Sequence, residues 1–135
     1  MSFVKYKGKT KFEWLGVTTS TALTKNTIME MTSGLVAEAD DNDTALAGVL
    51  VKTIASTDAD YATARRVPLL VPVERHVVWT ATGTGTFAAT DIGGEYGISD
   101  SGTVDKADTT NKVFLMTEFL SATSIRGYLK INGSY

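Results

Sequence analysis

The chain contains no cysteine, which excludes disulfide staples, thiolate nucleophiles and cysteine metal sites and leaves the redox compartment open. It has a single histidine, His76, and two prolines. No apolar stretch approaches the roughly 20 residues needed to span a bilayer as a helix. The opening Met1-Ser2-Phe3-Val4-Lys5 has no apolar run of the signal-peptide kind, so synthesis in the cytoplasm is expected. A basic excess is also missing. The net charge is -2 and the sequence pI is about 5.3, whereas a nucleic-acid binder usually needs surplus cations to displace counterions from phosphates. Helical periodicity is scarce, and no long window repeats apolar residues at the spacing of a helix face. The best helical candidate is the short segment Asp58 to Arg66, which Asp58 could cap.

Threonine is the commonest residue and comes with many valines. Both are stiff at χ1 and suit a pleated sheet. Short apolar runs recur between turn residues, the pattern of a sandwich or barrel. The expected strands are Phe12 to Val17, Thr27 to Met31, Gly34 to Ala37, Leu46 to Ile54, Val67 to Val73, Arg75 to Ala81, Lys112 to Phe119 and Ile125 to Ile131. Pro68 and Pro72 assign the fifth of these to a sheet edge or a bend. In the last, Ile125, Gly127, Leu129 and Ile131 share one face. The expected core comprises Val49, Val51, Leu69, Val71, Val78, Val113, Leu115 and Leu129. Loop chemistry fills the gaps, with Gly102 placed to take positive φ in the turn Ser99 to Gly102. The length of 135 residues fits one core. The expected organisation is an N-terminal arm at 1–15 followed by an all-β domain at 16–135, a small barrel or sandwich, with a tulip-like β arrangement as one form.

Motifs for catalysis fail on inspection. A nucleophile elbow would need glycine at position 101, where serine stands. Gly83-Thr84-Gly85-Thr86-Phe87-Ala88 formally matches a dinucleotide fingerprint, but Ala89-Thr90-Asp91-Ile92-Gly93-Gly94 cannot continue as the helix that must hold the pyrophosphate. The acidic run Glu38, Asp40, Asp41 and Asp43 reads as a solvated loop, with a weak calcium site as the minority reading. Asp58 and Asp60 read as loop or capping residues. No catalytic residue, cofactor or metal is expected, and no small-molecule substrate.

The most patterned polar feature is the N-terminus. Lys5, Lys7, Lys9 and Lys11 alternate with Val4, Tyr6, Gly8, Thr10 and Phe12, and Trp14 follows with the same parity. An extended segment places the amines on one side and the aromatic residues on the other. It can serve as a solubilising tail or as an arm that docks on a partner. The expected partner-binding residues are Phe3, Lys5, Tyr6, Lys7, Lys9, Lys11, Phe12 and Trp14.

Several phrases farther on resemble the decoration (cement, or auxiliary head) proteins of tailed bacteriophage capsids. They are Leu46-Ala47-Gly48-Val49-Leu50-Val51 after the acidic loop, Arg66-Val67-Pro68-Leu69-Leu70-Val71-Pro72-Val73, the Gly/Thr-rich turn Thr82 to Thr86, Ile92-Gly93-Gly94-Glu95-Tyr96-Gly97-Ile98, and Ser101-Gly102-Thr103-Val104-Asp105. The likeness covers roughly residues 20 to 131 and leaves out the N-terminal arm. It implies a small β protein bound to the outer surface of the virion, commonly a homotrimer, that clamps neighbouring copies of the major capsid protein. Nucleic acid and membrane are not among the implied partners. Other readings are a different virion part, such as a head-fibre base, tail-tube or head-completion protein, or a carbohydrate-binding β module using Trp14, Tyr61, Trp79 and Tyr96.

Overall fold

A computed structural model describes residues 2–17, 22–55 and 66–135. Its elements are almost all strands: Phe3–Lys7 (β1), Thr10–Gly16 (β2), Ile28–Thr32 (β3), Leu35–Glu38 (β4), Leu46–Leu50 (β5), Arg66–Pro72 (β6), Val78–Thr84 (β7), Glu95–Asp100 (β8), Thr103–Asp105 (β9), Phe114–Ser121 (β10) and Ser124–Leu129 (β11). The one helical element among the described residues is a 3-10 turn at Ala89–Asp91. The expected helix Asp58 to Arg66 lies outside the described residues except for Arg66, which begins β6.

The strands form two sheets. The first has the order β1-β7-β11-β10-β8-β9, and β9 returns to pair in parallel with β7 at Thr82↔Thr103 to Thr84↔Asp105. That pairing closes β7, β11, β10, β8 and β9 into a small five-stranded barrel, and closure removes exposed strand edges. β1 lies on the remaining length of the same β7 edge, from Phe3↔Ala81 to Lys7↔Val78. The second sheet has the order β2-β6-β5-β3-β4. It curls until a bridge between Val17 and Val36 joins the end of β2 to β4. Backbone bonds tie the two sheets together: Phe3 N–H to Asn26 O (2.8 Å), Ile28 N–H to Ser101 O (2.7 Å) and Asn132 N–H to Leu46 O (2.9 Å). One apolar core runs through both.

The sequence-based core is right at Val49, Leu69, Val71, Val113 and Leu129, which are buried. Val51, Val78 and Leu115 are only half-buried. In β7 and β10 the alternation has the opposite phase, and Val77, Trp79 and Ala81, then Phe114 and Met116, face inward. A one-residue slip exchanges the two faces of a strand completely, and both strands carry apolar residues on each parity. β11 behaves as expected, with Ile125 and Leu129 buried and Ile131 continuing the face.

β6 is not an edge strand, as its prolines suggested. It lies between β2 and β5. The bond from Val73 N–H to Lys9 O (3.0 Å) sets the register, so Lys9, Lys11, Glu13 and Leu15 exchange backbone bonds with Val73, Val71, Leu69 and Val67. Pro72 and Pro68 fall opposite Thr10 and Trp14, at positions that bond away from β2. Their missing donors therefore point toward β5, on either side of a ladder that consists of Val49↔Leu70 and Leu50↔Leu69. The expected positive φ at Gly102 is not used either. The Asp100 carboxylate accepts Gly102 N–H (2.7 Å) and Thr103 Oγ1 (2.9 Å), which holds the turn in place of glycine's freedom.

Candidate functional site

Residues 2–15 are extended, as expected, but they are built into the fold rather than projecting as an arm. The cause is Phe3, which is 0% exposed and meets Phe114 edge-to-face at 6.4 Å between centroids. A fully buried phenyl ring contributes on the order of 1.5–3 kcal/mol. Seven successive residues of β2 are paired with β6. Phe3 is therefore corrected from a docking residue to a core residue, and no boundary separates residue 15 from residue 16.

The remaining candidates sort by strand parity. Phe3, Lys5 and Lys7 follow one another on β1, with Lys5 opposite the buried Trp79. Lys5 extends past the core, and its amine donates to Thr10 Oγ1 at 3.2 Å. Lys11 is likewise opposite the buried Val71, yet exposed. Lys7 and Lys9 are exposed as well. None of these four lysines forms an ion pair among the described residues, where the ion pairs are Lys106–Asp91 and Arg126–Glu118.

The even-numbered residues face outward. Val4, Tyr6, Phe12 and Trp14 are exposed, and Phe12 and Trp14 remain 65% and 57% accessible. The Tyr6 ring is covered in part by Arg126, whose guanidinium lies 3.6 Å from the ring centroid. Arg126 is itself fixed by Thr80 Oγ1 (3.2 Å) and by Glu118 (3.0 Å). A guanidinium held this way keeps its cation–π geometry at little entropic cost. Phe12 and Trp14 have no comparable cover. They stand opposite Leu70, which is half-buried, and Pro68, which is buried, so the exposed apolar strip is carried mainly by the two rings of β2, with lysines at its Lys9 end.

The strip also coincides with a strand edge that is open among the described residues. Because the odd residues of β2 bond to β6, the backbone N–H and C=O of Thr10, Phe12 and Trp14 point the other way. Among the described residues, only the Val17–Val36 bridge, beyond the end of β2, lies on that side.

Other candidate chemistry does not assemble. His76 is exposed, has φ of 62° and precedes β7 rather than lying in a strand. Its ring stacks on Tyr128 at 4.6 Å. The acidic loop engages its own surroundings: Asp43 accepts Asp40 N–H (2.7 Å), and Glu38 accepts Ser101 Oγ (2.5 Å). Among the described residues no group of three or more His, Asp or Glu side chains is arranged to hold a metal ion. Burial, and then the charge of Asp43, raises the Glu30 carboxyl above its ordinary range. An open cleft of about 400 Å3 between Val73, Arg75, Ile131 and Tyr135 has its phenol committed, since Tyr135 OH donates to Glu95 at 2.5 Å. The glycines at 83 and 85 lead into a loop and the 3-10 turn, with no helix to hold a pyrophosphate. Of the four rings proposed for a sugar site, Trp79 and Tyr96 are buried, Tyr61 lies outside the described residues, and Trp14 alone is exposed. Among the described residues no helix is long and apolar enough to cross a membrane.

The signal for the β2 site was legible as the alternation of lysine with aromatic residues. Leu70 and Pro72 were missed as its outer-face neighbours, because only the β2–β6 register brings them there. Comparison of the chain with protein-family models, with curated proteins and with solved structures gives no match.

Proposed function

We propose that this chain is a structural virion protein that docks through the outer side of β2 and β6 onto the outer surface of a phage capsid. There it would bridge copies of the major capsid protein and stabilise the shell, acting as a homotrimer. One observation carries the docking part of this reading: two large aromatic side chains, Phe12 and Trp14, stand more than half exposed on a strand held to β6 along its whole length. Aromatic residues in an apolar patch rimmed by cations are the usual anchors of protein interfaces, and a few such residues supply most of the binding energy. The choice of a capsid as partner, and of three copies, rests on the sequence resemblance. The mechanism requires no reaction. Many modest contacts, each of about 800 Å2 per partner, add through repetition on the shell.

The test is occupancy of purified capsids stripped of this chain. Wild-type protein should saturate them, and hundreds of copies per particle favour decoration over a head-fibre, tail or head-completion role. Phe12→Ala with Trp14→Ala should raise the concentration for half-occupancy at least about tenfold, as expected for loss of interface anchors. Equal saturation by the doubly substituted protein, with its melting temperature unchanged, overturns the assignment of the site. Absence of wild-type binding overturns the proposed function.

A further inference from the structure

We propose that the open edge of β2 is a template for strand addition, taking an extended, carboxylate-bearing segment of the protein onto which the chain docks. The inference rests on the docking reading above and specifies its geometry.

The case begins with the strand edges left outside the closed barrel. β1 carries a register irregularity between Lys5 and Lys7, and such bulges blunt an edge against pairing. β4 is four residues long, and its outer side is engaged by Val17 at Val36. β2 is different. It runs seven residues in unbroken register, contains no proline, and has no bulge. A regular edge of that length is what natural sheets normally avoid leaving bare.

The parity then places two kinds of contact on the same residues. Thr10, Phe12 and Trp14 carry the outward-pointing backbone donors and acceptors, because their neighbours use theirs on β6. Phe12 and Trp14 also carry the exposed rings. A strand laid along this edge would satisfy the main-chain groups and set alternate side chains beside the two rings, the pattern of recognition by β-augmentation.

Charge identifies the occupant. Lys9 and Lys11 flank the edge and form no ion pair among the described residues, although the Glu74 carboxylate accepts the Lys9 backbone N–H (3.0 Å), and Lys5 and Lys7 lie nearby on β1. A second copy pairing antiparallel through its own β2 can set Lys11 against Glu13, but it still brings together two segments that each hold four lysines and one acid, and that excess of like charge disfavours the pairing. An incoming segment with carboxylates meets them favourably.

The experiment is residue-resolved amide hydrogen exchange of the full chain, free and bound to stripped capsids. In the free protein Lys11, Glu13 and Leu15 should exchange slowly and Phe12 and Trp14 fast. On the capsid the Phe12 and Trp14 amides should slow by roughly 100-fold or more, as they enter a ladder. Replacing the Phe12 residue by its α-hydroxy acid removes one outward N–H and keeps the ring, and it should weaken capsid binding without lowering the melting temperature. Lys9→Glu with Lys11→Glu should weaken binding also. If the complex forms while the Phe12 and Trp14 amides exchange as fast as in the free protein, strand addition is wrong and docking by side chains stands. If no complex forms, the docking reading fails and this inference fails with it.

Discussion

At the scale of single residues, burial and charge lead to opposed outcomes for neighbouring positions. Phe114 and Met116 are fully buried and Leu115 between them is not. Met116→Ala should cost about 2–5 kcal/mol and Phe114→Ala about 3–5 kcal/mol, through lost transfer energy and the cavity left behind. Leu115→Ala should cost less than either, and chemical denaturation of the three variants would show the order. Glu30 makes a second case. Its carboxyl is raised by burial and by Asp43 and Asp40, so the ionised form is less favourable in the folded state than in the unfolded chain. A group shifted upward contributes its full stability below its unfolded value, and that contribution is lost as pH rises through its folded value. Glu30→Gln should therefore raise the melting temperature at pH 7 and make no comparable difference below about pH 4. A lower melting temperature at pH 7 would mean that Glu30 makes a favourable contact as the anion.

At the scale of elements, β1 has changed its role between sequence and structure. An isolated strand of this length cannot hold itself, since fixing each backbone residue costs about 1–2 kcal/mol. With no neighbour visible in the sequence, residues 1–15 read as an N-terminal arm. β7 supplies the neighbour: it accepts β1 along the part of its edge that β9 leaves free. Removing residues 2–7 should thus unfold or strongly destabilise the protein, and Phe3→Ala alone should cost about 3–5 kcal/mol. A truncated chain that melts at the wild-type temperature would restore the arm. What the sequence made visible were strands with one clean apolar parity, such as β11, and the place of the turn at Ser99 to Gly102, though not the Asp100 bonds that hold it. Its alternation failed at β7 and β10, where Val78 and Leu115 compete with Trp79 and Met116 for the inner face. It was silent about β9, whose three residues Thr103–Asp105 carry too little pattern to announce a strand that closes a barrel. The acidic loop was legible as a loop, and its bonds to Ser101 and within itself were not, because the partners are distant in sequence or set by the turn.

For the molecule as a whole, charge is segregated. Residues 3–16 hold four lysines against Glu13 alone, whereas the run 38–43 holds four acids and no base, in a chain of net charge -2. Exposed charges are screened over about 10 Å at 0.1 M salt. If the lysine-rimmed strip is the docking side, the half-saturating concentration on capsids should rise several-fold as salt increases, and most of the change should appear in the association rate. A salt-independent affinity would leave the apolar rings as the whole of the interaction.

The pairing of β1 with β7 has a consequence for biosynthesis. Ser2 bonds to Thr82 across 80 positions of chain. At about 5–20 residues per second, the ribosome needs roughly 4 to 16 s to deliver that partner. Throughout that interval Phe3 has no Phe114 or Ala81 to meet, and the β2 backbone has no β6 to pair with until Arg66–Pro72 is made. β11, which sits between β7 and β10 in the barrel, comes last of all the strands. The nascent chain therefore exposes Phe3 well before the strands that bury it exist, and that interval is when a holding chaperone would find its binding site.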